Sequence, residues 1–575
     1  MPRLSALLML HRLPRLSSCT ASWTAGWTLV VDLGLGRCCR AQAAGTVIAG
    51  VPIGSARFVR DYARRQLEAH MACHLVLRIL EDVQVAYLVL RYCLGARFTH
   101  LMRGCGSVLR VSDGPEARAP VAMHDEMQRD TLAALLVQPE DRSRRQGVSR
   151  FSFPDVLWRQ AHLPPKRGGV GLASAGTVCE CAFVAGVLAC LSYLAQHRVL
   201  LRAPADLSET CPLPLFDALR LAVAAMGVAS ATPASAPTLP TLLSASPSPA
   251  QRALAEGLWD RAYAVVLGLQ SAAEERARVC SAAGAHAGDW LCCMPVTYAL
   301  RAASRHFQLA LAMRLGAELH ELAEGPVHFC RGCGGGLDRL GRHYQHCGSH
   351  NRLSLSTTRH DGLQCGLQLV IRRLRRVVHV VGHQRWFTGA AVAAAGLDPT
   401  EGQGLYADLV LPHYRAPGRH LFIDVAVGTP DTVAAMGAVP SSMDQGGVAA
   451  QQRADAKHRH YRAAVEAMGA RFRAATMERF GACSDDMCAL VRELCGEGDR
   501  PSSSDDWYFT APSSVTYHMQ HVVLAGVMAD AAMVDRAMDA DIIHPVDPGR
   551  PPRDGWRDVT SAAARRGGRP AARAA

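Results

Sequence analysis

Residues 405–427 read LYADLVLPHYRAPGRHLFIDVAV. Two apolar, β-like runs, Leu405–Leu411 and Leu421–Val427, flank a segment holding the turn signal Pro417-Gly418. A hairpin centred on Ala416 pairs residues whose numbers sum to 832, and Asp408 and Asp424 satisfy that sum. The two acids then share one face, with β-carbons roughly 4.5–5.5 Å apart. Like charges directly opposite one another destabilise a sheet, so the pairing calls for a compensating charge, a divalent cation being the natural one. The competing reading is two unrelated surface aspartates.

The next helix adds an amine. From Ala450 a weakly apolar stripe runs through Ala454, Lys457, Tyr461, Ala464 and Met468, so Lys457 lies one turn from Tyr461 and off the polar face. A lysine there usually snorkels to water. Beside a carboxylate pair it has a second use, at a scissile phosphate or an attacking water. A metal held by Asp408 and Asp424 lowers the pKa of bound water, and a lysine adds charge stabilisation, which together suffice for phosphodiester hydrolysis.

Upstream, Cys330-x2-Cys333-x9-His343-x3-Cys347 has the layout of a tetrahedral Cys3His zinc site. Gly332 and Gly334–Gly336 permit the tight backbone between ligands. His346 and His350 are alternatives to His343. So small a knuckle has no core of its own, and zinc binding would fold it. From Arg331 to Arg385 there are ten arginines against Asp338 and Asp361. The run Arg372, Arg373, Arg375, Arg376 reads either as a solvated face or as a phosphate contact whose affinity falls steeply with salt.

The whole chain has 575 residues, 62 Lys+Arg against 50 Asp+Glu, and a formal charge of +12, which suits a polyanionic partner. No apolar run reaches the ~18 residues of a spanning helix; the longest candidate, Cys181–Ala195, is too short. Twenty cysteines, irregularly spaced over this length, fit reduced thiols and one metal site better than a disulfide scaffold. The fold class expected is α+β and multidomain: a mostly helical N-terminal half, a small zinc knuckle and an α/β nuclease-like core. The organisation expected is an unassigned leader (1–45), a helical region (46–228), an Ala/Ser/Pro linker (229–251), a second helical region (252–325), the knuckle (326–351), the core (352–480), C-terminal helices (481–545) and a disordered Pro/Gly/Arg/Ala tail (546–575). The acid-free stretch Met1–Val31 resembles an organellar transit peptide, with an arbitrary upstream start as the alternative.

This order of features resembles the C-terminal part of site-specific non-LTR retrotransposon proteins, whose restriction-enzyme-like endonuclease is of the PD-(D/E)xK type. The resemblance implies that Cys330, Cys333, His343 and Cys347 form the knuckle and that Arg359 and His360 are its trailing basic, nucleic-acid-binding motif. It implies Asp408 and Asp424 as magnesium ligands and Lys457 as the late lysine. Ala407 stands where the family has Pro before the first acid, and Ala426 stands where restriction enzymes carry their lysine. Upstream, Gly50–Gly54, Arg97–His100 and Leu163–Leu172 resemble the region following a reverse-transcriptase palm. No (Phe/Tyr)-x-Asp-Asp segment occurs; the Asp-Asp pairs are 485–486 and 505–506. The resemblance therefore implies a nuclear, metal-dependent endonuclease without polymerase activity, acting on double-stranded DNA and in contact with element RNA. The alternatives are a catalytically dead zinc-knuckle remnant that still binds nucleic acid, and a purely helical interaction protein without zinc.

Overall fold

The computed structural model describes residues 45–114, 117–137, 153–196, 214–229, 238–244, 251–319, 322, 328–330, 332–347, 355–374, 378–380, 387–396, 405–432, 436–437, 440–496 and 510–542. The expected leader (1–44 of it), the expected tail, His350, Arg375 and Arg376 lie outside these residues. The chain is mostly helical, with two small sheets. No helix among the described residues is long and apolar enough to cross a membrane.

The chain divides into two interleaved units. The first takes Met1–Leu80, Val89–Ala134 and Leu172–Val265. It opens with a hairpin of β1 (Gly45–Ile48) and β2 (Val51–Gly54). Ala49 and Gly50 both take positive φ, 49° and 80°, as a two-residue turn between twisted strands requires. The segment Gly95–Cys105 packs on Ala175–Gln196, where a Cβ at Gly186 would sit 2.7 Å from the Arg103 carbonyl. Asp125 caps that second helix, accepting from the amides of Ala175 and Gly176 at 2.7 and 3.1 Å.

Two expectations change here. The predicted helix Val83–Leu101 is interrupted by a π-helical turn at Leu90–Leu94. The predicted linker 229–251 contains a helix, Leu239–Ser244, whose Leu239 and Leu242 are buried against Val223 and Met226. Flanking Ser and Pro give this stretch a linker composition, yet two leucines at i and i+3 are enough to dock one turn.

The second unit takes Glu81–Leu88, Leu135–Gly171 and Val266–Ala575. Within it the wedge Leu163–Gly171 (LPPKRGGVG) is braced by Arg314. That guanidinium is buried and donates to four carbonyls: Gly169 at 3.0 Å, Ala287 at 2.9 Å, and Pro165 and Ala282 at 2.8 Å. A buried arginine is tolerable because its donors are spent on carbonyl oxygens that would otherwise be unsatisfied. Gly169 admits no side chain, since a Cβ there would lie 2.0 Å from the Leu163 carbonyl.

Around the candidate site the element order is α1 (Leu355–Arg373), β3 (His379–Val380), β4 (Leu409–Leu411), β5 (Leu421–Gly428), α2 (Val448–Ala467), β6 (Arg471–Glu478), α3 (Asp485–Cys495) and α4 (Ser514–Ile542). The strands form one sheet in chain order, β3-β4-β5-β6. The first two pairings are antiparallel; β5 and β6 are parallel and joined through α2. The apolar residues of β4, β5 and α2 meet at Val410, Phe422, Tyr461, Ala464 and Val465, with Phe387 stacked on Phe422 at 4.3 Å.

Helices α1 and α4 approach closely because each presents small residues one turn apart. A Cβ at Gly362 would lie 2.2 Å from the Ala529 Cβ, and one at Gly366 would lie 2.5 Å from the Ala525 Cβ. Gly362→Val should therefore force the helices apart and cost about 1–3 kcal/mol, the scale of overpacking. Urea denaturation measures this; an unchanged midpoint would mean that the helices do not meet at these glycines.

Candidate functional site

The hairpin register is the one expected. Leu409 pairs with Ile423, Val410 with Phe422 and Leu411 with Leu421, each summing to 832. β4 is shorter than the predicted run, so Asp408 sits one residue before it, at the open end of the ladder. Its carboxylate nevertheless turns onto β5: Oδ2 accepts from the Val425 amide at 2.6 Å. The Asp408 and Asp424 carboxyl groups are close enough to shift each other's titration.

Both acids carry a cationic neighbour. Lys457 donates from Nζ to Asp424 Oδ2 at 2.6 Å. The α2 stripe explains this placement. Ala450, Ala454, Tyr461 and Ala464 are buried, and the Tyr461 hydroxyl donates to the Tyr406 carbonyl at 2.6 Å, pinning α2 beside the entry to β4. Lys457, one turn earlier, is thereby held over β5. Glu478 at the end of β6 caps the same helix, accepting from the amides of Gly447 and Ala449 at 3.1 and 2.9 Å.

The second cation is His360, whose Nε2 lies 3.1 Å from Asp408 Oδ2. Sequence reasoning had assigned His360 to nucleic-acid binding; the fold brings it to the carboxylate pair. One turn on, Gln364 donates to the Asp408 carbonyl at 3.2 Å, so α1 grips the Asp408 segment twice. The bond to Asp408 carries the His360 pKa up to about 9 despite burial, making it a cation at neutral pH. Burial, reinforced by the adjacent Asp408 carboxyl, pushes Asp424 up to about 7 against the pull of Lys457. Burial also opposes charge on Asp408, but His360 and the Val425 amide hold it below the usual carboxylate range. The pair is thus split into one firmly ionised acid and one that titrates near neutrality, a pattern common in chemically active sites.

The four knuckle residues converge. One ligand atom from each of Cys330, Cys333, His343 and Cys347 lies within 4.8 Å of all the others. The Cys330–Cys347 sulfurs are 3.6 Å apart, and Cys333 Sγ is 3.3 Å from His343 Nε2. A tetrahedral zinc with Zn–S near 2.3 Å has edges of about 3.7 Å, so the donor set and its spacing fit that ion. Local chemistry builds the cage. A turn closes with the Gly334 amide on the Cys330 carbonyl at 2.7 Å, and Gly334 takes φ 71°. Asp338 accepts from the amides of Leu340, Arg342 and His343, starting the helical turn that presents His343 and Cys347.

The predicted basic residues divide. Arg359 turns inward to Gln345 of the knuckle at 3.2 Å and Asp530 of α4 at 3.5 Å. Asp530 also receives Gln345 at 3.4 Å and Arg479 at 3.5 Å, and Arg479 reaches Asp431 at 3.2 Å. Arg359 therefore ties the knuckle to α1 and α4. Arg373 donates at 2.8 Å to both the Tyr517 hydroxyl and His521. Burial, and then Arg373, lower the His521 pKa to about 3, which keeps the ring neutral and able to accept. Arg372 is exposed. The Asp485-Asp486 pair opens α3, where Asp486 binds Arg473 and His458 at 2.7 Å each. No protein-family model matches the chain, and no curated protein matches it.

Proposed function

We propose that the chain is a metal-dependent DNA endonuclease of a retroelement protein, with a restriction-enzyme-like core and a structural zinc knuckle. One observation carries this reading: the hairpin register brings Asp408 and Asp424 together with Lys457 on one and His360 on the other. The helix, antiparallel strands and α2 crossover to a parallel strand supply a rigid frame for such a site. A divalent cation, when bound, would supply a water of lowered pKa and neutralise charge building on the phosphoryl group.

The residues of the chain do the rest. Asp408 and Asp424 would hold the cation, and Asp424, whose metal-free pKa lies at about 7, would give up its proton on loading. Lys457 and His360 neutralise the pair before loading. In a substrate complex the Lys457 ammonium would turn from Asp424 to a phosphate oxygen and stabilise the transition state. Cys330, Cys333, His343 and Cys347 hold zinc outside the chemistry. Element RNA and a nuclear setting belong to this same reading.

Nicking of supercoiled plasmid in magnesium tests it. The parent should relax the plasmid; Asp408→Ala, Lys457→Ala and parent in EDTA should not. Equal nicking by all four would remove the catalytic assignment. Duplex binding by a parent that cannot nick would favour the inactive remnant.

A further inference from the structure

A second charged feature lies away from the carboxylate pair. Arg415, Arg471, Arg473 and Arg492 line an open cleft of about 610 Å³ between the β4–β5 turn, β6 and α3, with Glu493 the one acid among its described lining residues. Arg471 and Arg473 both bind Glu493, the latter at 3.0 Å, and Arg415 lies 3.6 Å from the same carboxylate. Burial opposes charge on Glu493, but these arginines hold it below the usual carboxylate range. Arg473 also uses Asp486. Arg492 makes no ion pair with any described residue.

Four guanidiniums therefore meet two carboxylates. One carboxylate has about four lone-pair sites, whereas each guanidinium carries five donors, so two carboxylates cannot satisfy every donor of four arginines. Clustering like charges costs energy, and the backbone adds to that cost. In the turn, His413 and Arg415 take left-handed φ of 54° and 62°, a region disfavoured for residues with a Cβ. The rings and cations are also ordered: Arg415 and Arg471 both lie over Tyr414, at 5.7 and 5.9 Å from its centroid. An ordered, over-positive, solvent-open fork array is what bidentate recognition of a phosphate demands.

We propose that this cleft binds backbone phosphates of duplex DNA, as a contact separate from the carboxylate site. The assignment rests on the nuclease reading for its choice of duplex DNA. A short path joins the two places. Arg473 binds Asp486, Asp486 binds His458, and His458 adjoins Lys457 on α2. A strand held in the cleft is thereby positioned relative to the helix that carries the amine.

The test uses the full chain and a fluorescein-labelled random-sequence duplex in EDTA, read by anisotropy across a salt series. The variant is Arg415→Gln with Arg492→Gln, which leaves the Arg471–Glu493 and Arg473–Asp486 pairs in place. Losing two phosphate contacts should weaken binding about tenfold or more and flatten the log–log salt slope by roughly 1.8. The control Arg462→Gln, at an exposed arginine paired with Glu466, should match the parent. Unchanged affinity and slope in the double variant would overturn the proposal, including the case in which Glu497, Asp499, Asp505 and Asp506 of the intervening chain neutralise the arginines. A loss seen with single-stranded RNA and not with duplex would overturn the choice of duplex. The two readings fail separately. At saturating duplex in magnesium the double variant should nick at the parental rate if the cleft only binds, whereas a parent that never nicks leaves the anisotropy result standing.

Discussion

Asp424→Asn should lower nicking by at least about 10²–10³-fold, the scale of losing one preorganised charged group at a reacting centre, while making the metal-free fold more stable at pH 8. The two effects have one origin. Asp424 is buried against Asp408, and that burial carries its pKa up to about 7 from 3.8. The folded chain then keeps a proton that an unfolded aspartate gives up near pH 4, so unfolding releases a proton throughout that window. Stability contributed by the protonated form is lost as pH rises through about 4 to 7. An asparagine is neutral at every pH and avoids that loss. Urea denaturation in EDTA should show the parent and variant converging at low pH and diverging by on the order of 1 kcal/mol at pH 8. Magnesium should then raise the melting temperature of the parent and leave the variant unmoved, because only the parent has a carboxylate pair for it. A variant that nicks within about tenfold of the parent would end the catalytic role of Asp424.

Withdrawing zinc should be the largest single loss of stability. Structural zinc in small fingers contributes about 10–16 kcal/mol, and the knuckle has little else. Its apolar burial is confined to Cys330, Tyr344 and Cys347 among its own described residues. Elemental analysis should find one zinc per chain in the parent and far less in Cys347→Ser. Treatment with a strong zinc chelator should lower the melting temperature of the parent sharply and that of the variant little. The loss should also spread. Gln345 bonds both Arg359 and Asp530, so an opened knuckle takes a partner from each. A zinc-free parent whose melting ignores the chelator would overturn the metal centre.

The legible parts of this site were those set by local rules. The register of Asp408 and Asp424 followed from the midpoint of a short turn, because pairing across a hairpin has only one free parameter. Lys457 followed from helical spacing against Tyr461, and the knuckle from ligand spacing. The rest depends on contacts between distant segments. His360 and Gln364 meet Asp408 across more than forty positions, and no periodicity encodes that meeting. Arg359 looked like a free cation because its partner, Asp530, lies 171 residues on in α4. The arginine cleft drew on four residues spread from Arg415 to Arg492, none in a run, while the visible run at Arg372 and Arg373 supplied one internal brace.

The interleaving of the two units governs how this protein can be cut. A shortened chain beginning at Gln251 would start at the end of the stretch with linker composition. It would lack Gln84, which bonds the Cys293 and Leu300 carbonyls at 3.1 and 3.0 Å, and Tyr87, whose ring packs on Phe307 with centroids 5.7 Å apart. It would also lack the wedge that Arg314 braces, leaving that guanidinium in the interior with two of its four acceptors gone. Excision along the chain therefore removes keystones that belong to the later half, and proteolytic fragments should stay associated rather than separate at the apparent seam.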